Sequence, residues 1–119
     1  MRIIKFDRYG APDVLQYREV GAQVPADNEV LIRVKAIGLN RAESMWRQGV
    51  YVEPVNLPAR LGYESAGIVS AVSSIPSFSL NDYRMYGEEV LAPAQPVVKH
   101  LSTLPFEEAV SIRNPYITR

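Results

Sequence analysis

Two residues of this chain have side chains suited to work on a bound molecule, Asn40 and Glu64. Asn40 lies in "AIGLNRAES" at the junction of an apolar run and a helix-like run. Its amide can donate and accept at once, so it can orient a planar polar ligand. It also suits the first position of a helix, where asparagine commonly caps. Glu64 lies in "LGYESAGIV", between Tyr63 and a small-residue run that leads into apolar residues. A carboxylate there must find partners or its ionised form becomes costly. Backbone donors or Arg60 would serve, which makes a purely structural role a second reading of Glu64.

Other chemistries fail on residue type or spacing. Zinc needs three or four converging nitrogen, sulfur or carboxylate ligands, and this chain has one histidine, His100, and no cysteine. His100 reads as a surface or strand-edge residue, and no metal site is expected. Gly62 and Gly67 have P-loop spacing, but Ile68 and Val69 stand where Lys and Ser or Thr are required. No two of the seven glycines are separated by one residue, so the dinucleotide pattern G-x-G-x-x-G is absent from the 119 residues. No serine sits in a G-x-S-x-G elbow. Glu88-Glu89 and Glu107-Glu108 are adjacent pairs whose side chains diverge, so neither acts jointly on one atom.

The elements that must position these groups are mostly strands. "RIIKF" is a first strand and "DVLQYREV" a weaker one. "NEVLIRVKAIGLN" alternates cleanly, with Val30, Ile32, Val34 and Ala36 on one face and Arg33 and Lys35 on the other. "NRAESMWRQG" reads as a short helix, with Asn40 as N-cap, Glu43 completing a capping box and Gly49 as a left-handed stop. "VYVEPVNLPAR" is loop, "AGIVSAV" a strand packed closely on both faces, and "MYGEEVLAP" and "PVVKHL" short strands. "LPFEEAVSIRN" is a closing helix, with Pro105 in its first turn and Pro115 at its end. Without β-α-β alternation, a mainly β domain over residues 1–119, a partly closed antiparallel barrel with short helices, is the physical default.

The composition narrows the setting. The chain is 47% apolar and 22% charged, with a formal net charge of zero. No block of like charge suggests nucleic acid or an anionic membrane as partner. Nothing approaches the roughly 20 apolar residues of a membrane span, and the N-terminus does not read as a signal peptide. With no cysteine, a cytoplasmic setting is the expectation.

The stretches "YGAPDVLQYREV", "NEVLIRVKAIGLNRAESMWRQGVY" and "LPARLGYESAGIVSAV" together resemble the GroES-like N-terminal domain of the medium-chain dehydrogenase/reductase superfamily. "YRMYGEEVLAPAQPVVKHLSTLPFEEAVSI" continues the resemblance. Zinc-containing members carry cysteine near Asn40 and Gly-His-Glu where this chain has Gly62-Tyr63-Glu64. Both ligand types are replaced here, so the chain is similar to the zinc-free, quinone-oxidoreductase-like branch. That resemblance implies hydride transfer from NADPH to a quinone or activated alkene, with the cofactor carrying the chemistry. It implies Asn40 beside the nicotinamide, Thr118 as a second cofactor contact, and Met45, Trp46, Tyr63 and Glu64 along the substrate cleft. Zinc-free relatives often carry tyrosine at the position of Met45, so Tyr51 is taken as the catalytic hydroxyl beside Asn40, with Tyr51 or Trp46 filling the cleft wall.

Two further departures shape the expected function. After "SAV" a turn and most of a strand of the family pattern are missing, an internal deletion placed near residues 72–76. The chain also ends at "NPYITR", where the family enters its Rossmann domain. The leading reading is therefore an isolated catalytic-domain fragment that binds no cofactor alone, although NADP(H) is implied for a complete member. A reductase split between chains, completed by a Rossmann-domain chain or by self-association, is the second reading, and a non-enzymatic interaction module the third.

Overall fold

A computed structural model describes residues 1–72, 81–95 and 97–117. Among these residues six strands form two antiparallel sheets. In the first, β1 (Arg2–Phe6) lies between β2 (Gln16–Glu19) and the two-residue β4 (Ala59–Arg60). In the second, β3 (Glu29–Ile37) lies between β5 (Ser65–Val72) and β6 (Glu89–Pro93). The alternation of β3 is realised: Val30 and Ile32 are buried while Arg33 and Lys35 are exposed. Its register against β5 shifts between Leu31 and Ile32 and again between Val34 and Ala36. Such irregularities increase local twist and bend the sheet.

The two sheets are stitched together by residues 85–88. Ile4 N–H donates to the Tyr86 carbonyl (3.1 Å), Glu88 N–H to Arg2 (3.0 Å) and Val34 N–H to Glu88 (2.9 Å). Met85 and Tyr86 N–H groups donate to Gly62 (3.2 Å) and Leu61 (3.1 Å). One short segment thus bridges both sheets and the turn that carries Tyr63 and Glu64. The result is a mainly β, GroES-like architecture, partly closed rather than a complete barrel.

Two apolar clusters form the core. Phe6, Val14, Trp46, Ala59, Leu61 and Tyr86 make one, and Val30, Ile32, Met85, Val90 and Ala92 the other. The first anchors α1 (Arg41–Gln48) to the β1 sheet through Trp46. Gly49 ends α1 at φ 73°, and a Cβ there would stand 2.9 Å from the Tyr9 ring, so only glycine satisfies both backbone and space. The second helix, α2 (Phe106–Ile117), packs against β3 and β5.

Several expectations are corrected. "PVVKHL" is not a strand: residues 97–100 are irregular, and Val97 N–H closes a turn onto Ala94. Pro115 does not end α2, which runs on to Ile117. A proline at this position costs the helix one donor and crowds the preceding turn, yet the helical backbone continues for two residues beyond it. β5 is not covered on both faces either, since Ile68 is 51% exposed and Val69 40%. The deletion placed near 72–76 falls, beyond Val72, outside the described residues.

β5 approaches β3 closely at Gly67. A Cβ on Gly67 would lie 2.2 Å from the Arg33 carbonyl oxygen, a backbone atom held in the sheet. Gly67→Ala is expected to cost about 3 kcal/mol in urea unfolding through overpacking. Gly21→Ala, where nothing lies within 4 Å of the new Cβ, is expected to stay within about 0.5 kcal/mol of the parent.

Candidate active site

The site is organised by the start of α1 and by the Gly62–Ser65 turn. Asn40 is the N-cap, extended at φ −121° and ψ 142°, and a reciprocal capping box links it to Glu43. Glu43 does more than cap. Only 4% exposed, it accepts from the Asn40 N–H (3.1 Å), from the Tyr63 N–H (2.9 Å) and from the Tyr86 hydroxyl. The Tyr86 oxygen also lies 3.3 Å from the Gly38 carbonyl. A buried carboxylate supplied with three donors is fully compensated, and charge-assisted bonds of this kind are roughly twice as strong as neutral ones.

Glu64 meets Asn40 rather than Arg60. The Asn40 Nδ2 donates to Glu64 Oε1 at 3.1 Å. The Glu64 side chain lies flat across Gly38, where a Cβ would stand 2.3 Å from Oε1. The Gly38 N–H in turn donates to the Glu64 carbonyl at 3.1 Å. Glu64 Oε2 is buried without a hydrogen-bond partner. The asparagine amide is therefore held from two sides, by its own helix and by Glu64, with an unused acceptor beside it.

A second group of predicted residues is aromatic. Tyr51 and Tyr63 meet edge to face with centroids 6.3 Å apart, and Tyr51 rests edge-on against Trp46 at 5.9 Å. Burial first, and then a hydrogen bond that the phenol donates to Tyr51, push Tyr63 well above the ordinary tyrosine range. Burial first, then the Glu43 hydrogen bond and charge, do the same to Tyr86. Both hydroxyls are proton-bearing donors at neutral pH.

Trp46, expected on the cleft wall, is instead fully buried and supports Tyr51 from the core. Its size and apolar character satisfy the helix's inward face, which is why it turns inward. Met45 is 38% exposed on the same helix. Leu39, beside Asn40, is 81% exposed. Thr118 lies outside the described residues. Among the described residues no group of three or more His, Cys, Asp or Glu side chains is placed to hold a metal ion. His100 packs edge-on against Phe106 at 5.3 Å.

Sequence reasoning missed Tyr86 and Gly38, and it assigned Glu43 only a cap. The capping-box spacing was the one signal that could have led to Glu43. Tyr86 and Gly38 reach the site through contacts 43 and 26 residues distant in the chain.

Comparison with known proteins places this geometry in context. Residues 26–101 match the alcohol dehydrogenase GroES-like domain family. A quinone oxidoreductase of Pseudomonas aeruginosa is 36% identical over 118 residues, covering 92% of this chain and 36% of the relative. The crystal structure of the human synaptic vesicle membrane protein VAT-1 homolog-like protein superposes at TM-score 0.87 with 31% identity, covering 99% of this chain and 41% of that one. The Escherichia coli quinone oxidoreductase complexed with NADPH superposes at TM-score 0.76 with 33% identity, covering 90% and 35%. The chain thus spans well under half the length of these relatives. Among the described residues no helix is long and apolar enough to cross a membrane.

Two tests address the Glu43 hub. Glu43→Ala strands three donors and is expected to cost about 3 kcal/mol in urea unfolding. The pH test uses Tyr86→Phe. A phenol raised in the fold keeps its proton while the unfolded chain loses it above pH ~10, so the folded state binds more protons and stability falls there. Arg60, lowered to about 10, works in the opposite sense over the same range. The difference between parent and Tyr86→Phe isolates the tyrosine. The stability advantage of the parent should shrink by roughly 1 kcal/mol per pH unit above about pH 10, read from urea curves at pH 8 to 11.

Proposed function

The chain belongs to the alcohol dehydrogenase GroES-like domain family, in the quinone-oxidoreductase-like branch of the medium-chain dehydrogenases and reductases, and on that premise we propose that it supplies the substrate-side wall of an NADPH-dependent reductase of quinones or activated alkenes. The observation that carries the reading is the Asn40–Glu64 contact at 3.1 Å, which fixes a half-exposed amide beside the exposed Leu39. The buried, unpartnered Glu64 Oε2 next to it is an acceptor in need of an N–H. A flat ring bearing a carboxamide matches that combination of apolar surface, amide and acceptor, so the residues present fit a nicotinamide. NADPH, when bound, supplies the hydride. Asn40 orients the ring amide, Glu64 and the helix start prevent the asparagine from turning away, and Leu39 and Met45 exclude water. Tyr51, braced edge-on by Trp46 and by Tyr63, is the hydroxyl available to an acceptor's carbonyl oxygen.

The 119 residues hold no glycine fingerprint for a pyrophosphate. Hydrogen bonds from Asn40 and its neighbours contribute on the order of 1 kcal/mol each, against the roughly 8 kcal/mol of micromolar affinity. Cofactor grip therefore comes from a dinucleotide-binding domain, whether joined to this chain or carried by another, and the chain by itself is inactive.

Titrating the 119-residue chain with NADPH, followed by cofactor fluorescence, is expected to show no saturation below about 1 mM. A micromolar dissociation constant overturns the claim that the chain alone cannot hold cofactor. Once paired with a dinucleotide-binding domain, Asn40→Ala is expected to lower kcat/KM for quinone about tenfold or more. An unchanged value removes Asn40 from the site.

A further inference from the structure

The face of the β1 sheet away from Phe6 and Trp46 carries a concentration of positive charge that the redox reading does not use. Lys5 on β1 stands directly opposite Arg60 on β4. Like charges in direct cross-strand register destabilise a sheet unless something lies between them. A third cation, Arg84, lies close enough to Arg60 to oppose its charge. The Arg60 side chain reaches to Gly87, where a Cβ would stand 3.1 Å from its Nη2 and equally close to Ile3. Glycine at 87 leaves the space in which the guanidinium sits.

The guanidinium groups lack acceptors. Arg60 Nε and Nη2 and Arg84 Nε are buried with no hydrogen-bond partner. The ion pairs of the described residues join Arg2 to Glu88, Arg8 to Asp13, Arg18 to Asp7 and Arg33 to Glu89, and Arg60 takes part in none. All 13 acidic residues of these 119 lie among the described residues. Arg84 feels Asp82 and Glu53, but Arg60 has no acid acting on it. Burial, then the charge of Arg84, pull the Arg60 guanidinium down to about 10, which still leaves it cationic at neutral pH. Both arginines are half-buried, so an approach from solvent remains.

A rigid fork of N–H donors, desolvated, flanked by two more cations and lacking a carboxylate, matches the geometry and charge of one ligand class. We propose that Arg60, with Arg84 and Lys5, forms a binding site for a phosphate group. The site is independent of the Asn40–Glu64 cleft: it shares no residue with it, and its test reads no redox activity.

The test is the melting temperature of the protein in chloride buffer at fixed ionic strength, with and without about 20 mM inorganic phosphate. Phosphate stabilises folded proteins generally by exclusion from their surface, so the parent is compared with Arg60→Gln. The parent is expected to gain about 4 °C or more beyond the gain of the variant. In chloride alone, Arg60→Gln is expected to melt at or above the parent, because it removes a cation that the fold leaves uncompensated. Arg60→Lys, which keeps the charge but loses the fork, should keep less than half of the phosphate-specific gain. An equal phosphate effect on parent and Arg60→Gln overturns the site. Should Arg60→Gln fail to fold, ³¹P line broadening with the parent decides, and its absence overturns the site equally. Adenosine 5′-monophosphate at the same concentration separates the sources. A larger gain than with phosphate marks a nucleotide phosphate as the ligand, an equal gain marks the free ion, and no gain from either refutes the proposal.

Discussion

The carboxylate of Glu43 is where three parts of the chain meet. It takes a proton donor from the first turn of α1, one from the backbone of Tyr63 and one from the hydroxyl of Tyr86. Each donor belongs to a different stretch, and each would be costly to bury alone. The segment that carries Tyr86 also sews the two sheets together through main-chain bonds to Ile4 and Val34. The position of Asn40 relative to Glu64 therefore does not depend on the short helix, which at eight residues would be marginal by itself. It depends on a buried acid whose every lone pair in use points to a different element. Trp46 adds the apolar half of the same anchorage, one helical turn further on.

Much of this was legible because it is local. The period-two pattern of β3, the capping box from Asn40 to Glu43 and the left-handed stop at Gly49 are all read from residues within a few positions of each other, and all are present. The family and the mainly β architecture were legible from the same stretches. The failures share a cause. "PVVKHL" has strand-like residues but no neighbour to pair with, and an apolar run without a partner stays irregular. Trp46 was assigned by analogy to a wall when the apolar stripe of its own helix required it inside. Arg60, a natural partner for Glu64 four residues away, does not meet it, since the turn at Gly62 (φ 116°) redirects the chain between them.

The candidate site was legible by residue type more than by arrangement. Asn40 and Glu64 were identifiable as chemistry-bearing, yet nothing local announced that one would donate to the other across 24 positions. Tyr51 and Tyr63 likewise gave no sign that their rings would meet. Contacts of this kind are set by how the sheets close, which no window of sequence contains. Gly38 shows the limit most clearly. In the sequence it is a glycine after a strand, and a turn is the obvious explanation. In the structure it is a floor on which a carboxylate lies.

That floor ties two positions into one unit of evolutionary change. No side chain larger than hydrogen fits at residue 38 while a glutamate occupies 64 in this rotamer. A lineage that drifts at 38 must first shorten or swing out residue 64, and in doing so frees the asparagine amide. The order of substitutions is constrained even though the two residues are far apart in the chain. Descendants of this scaffold should accordingly fall into two sets, those that keep the small residue together with the long acid and those that have abandoned both.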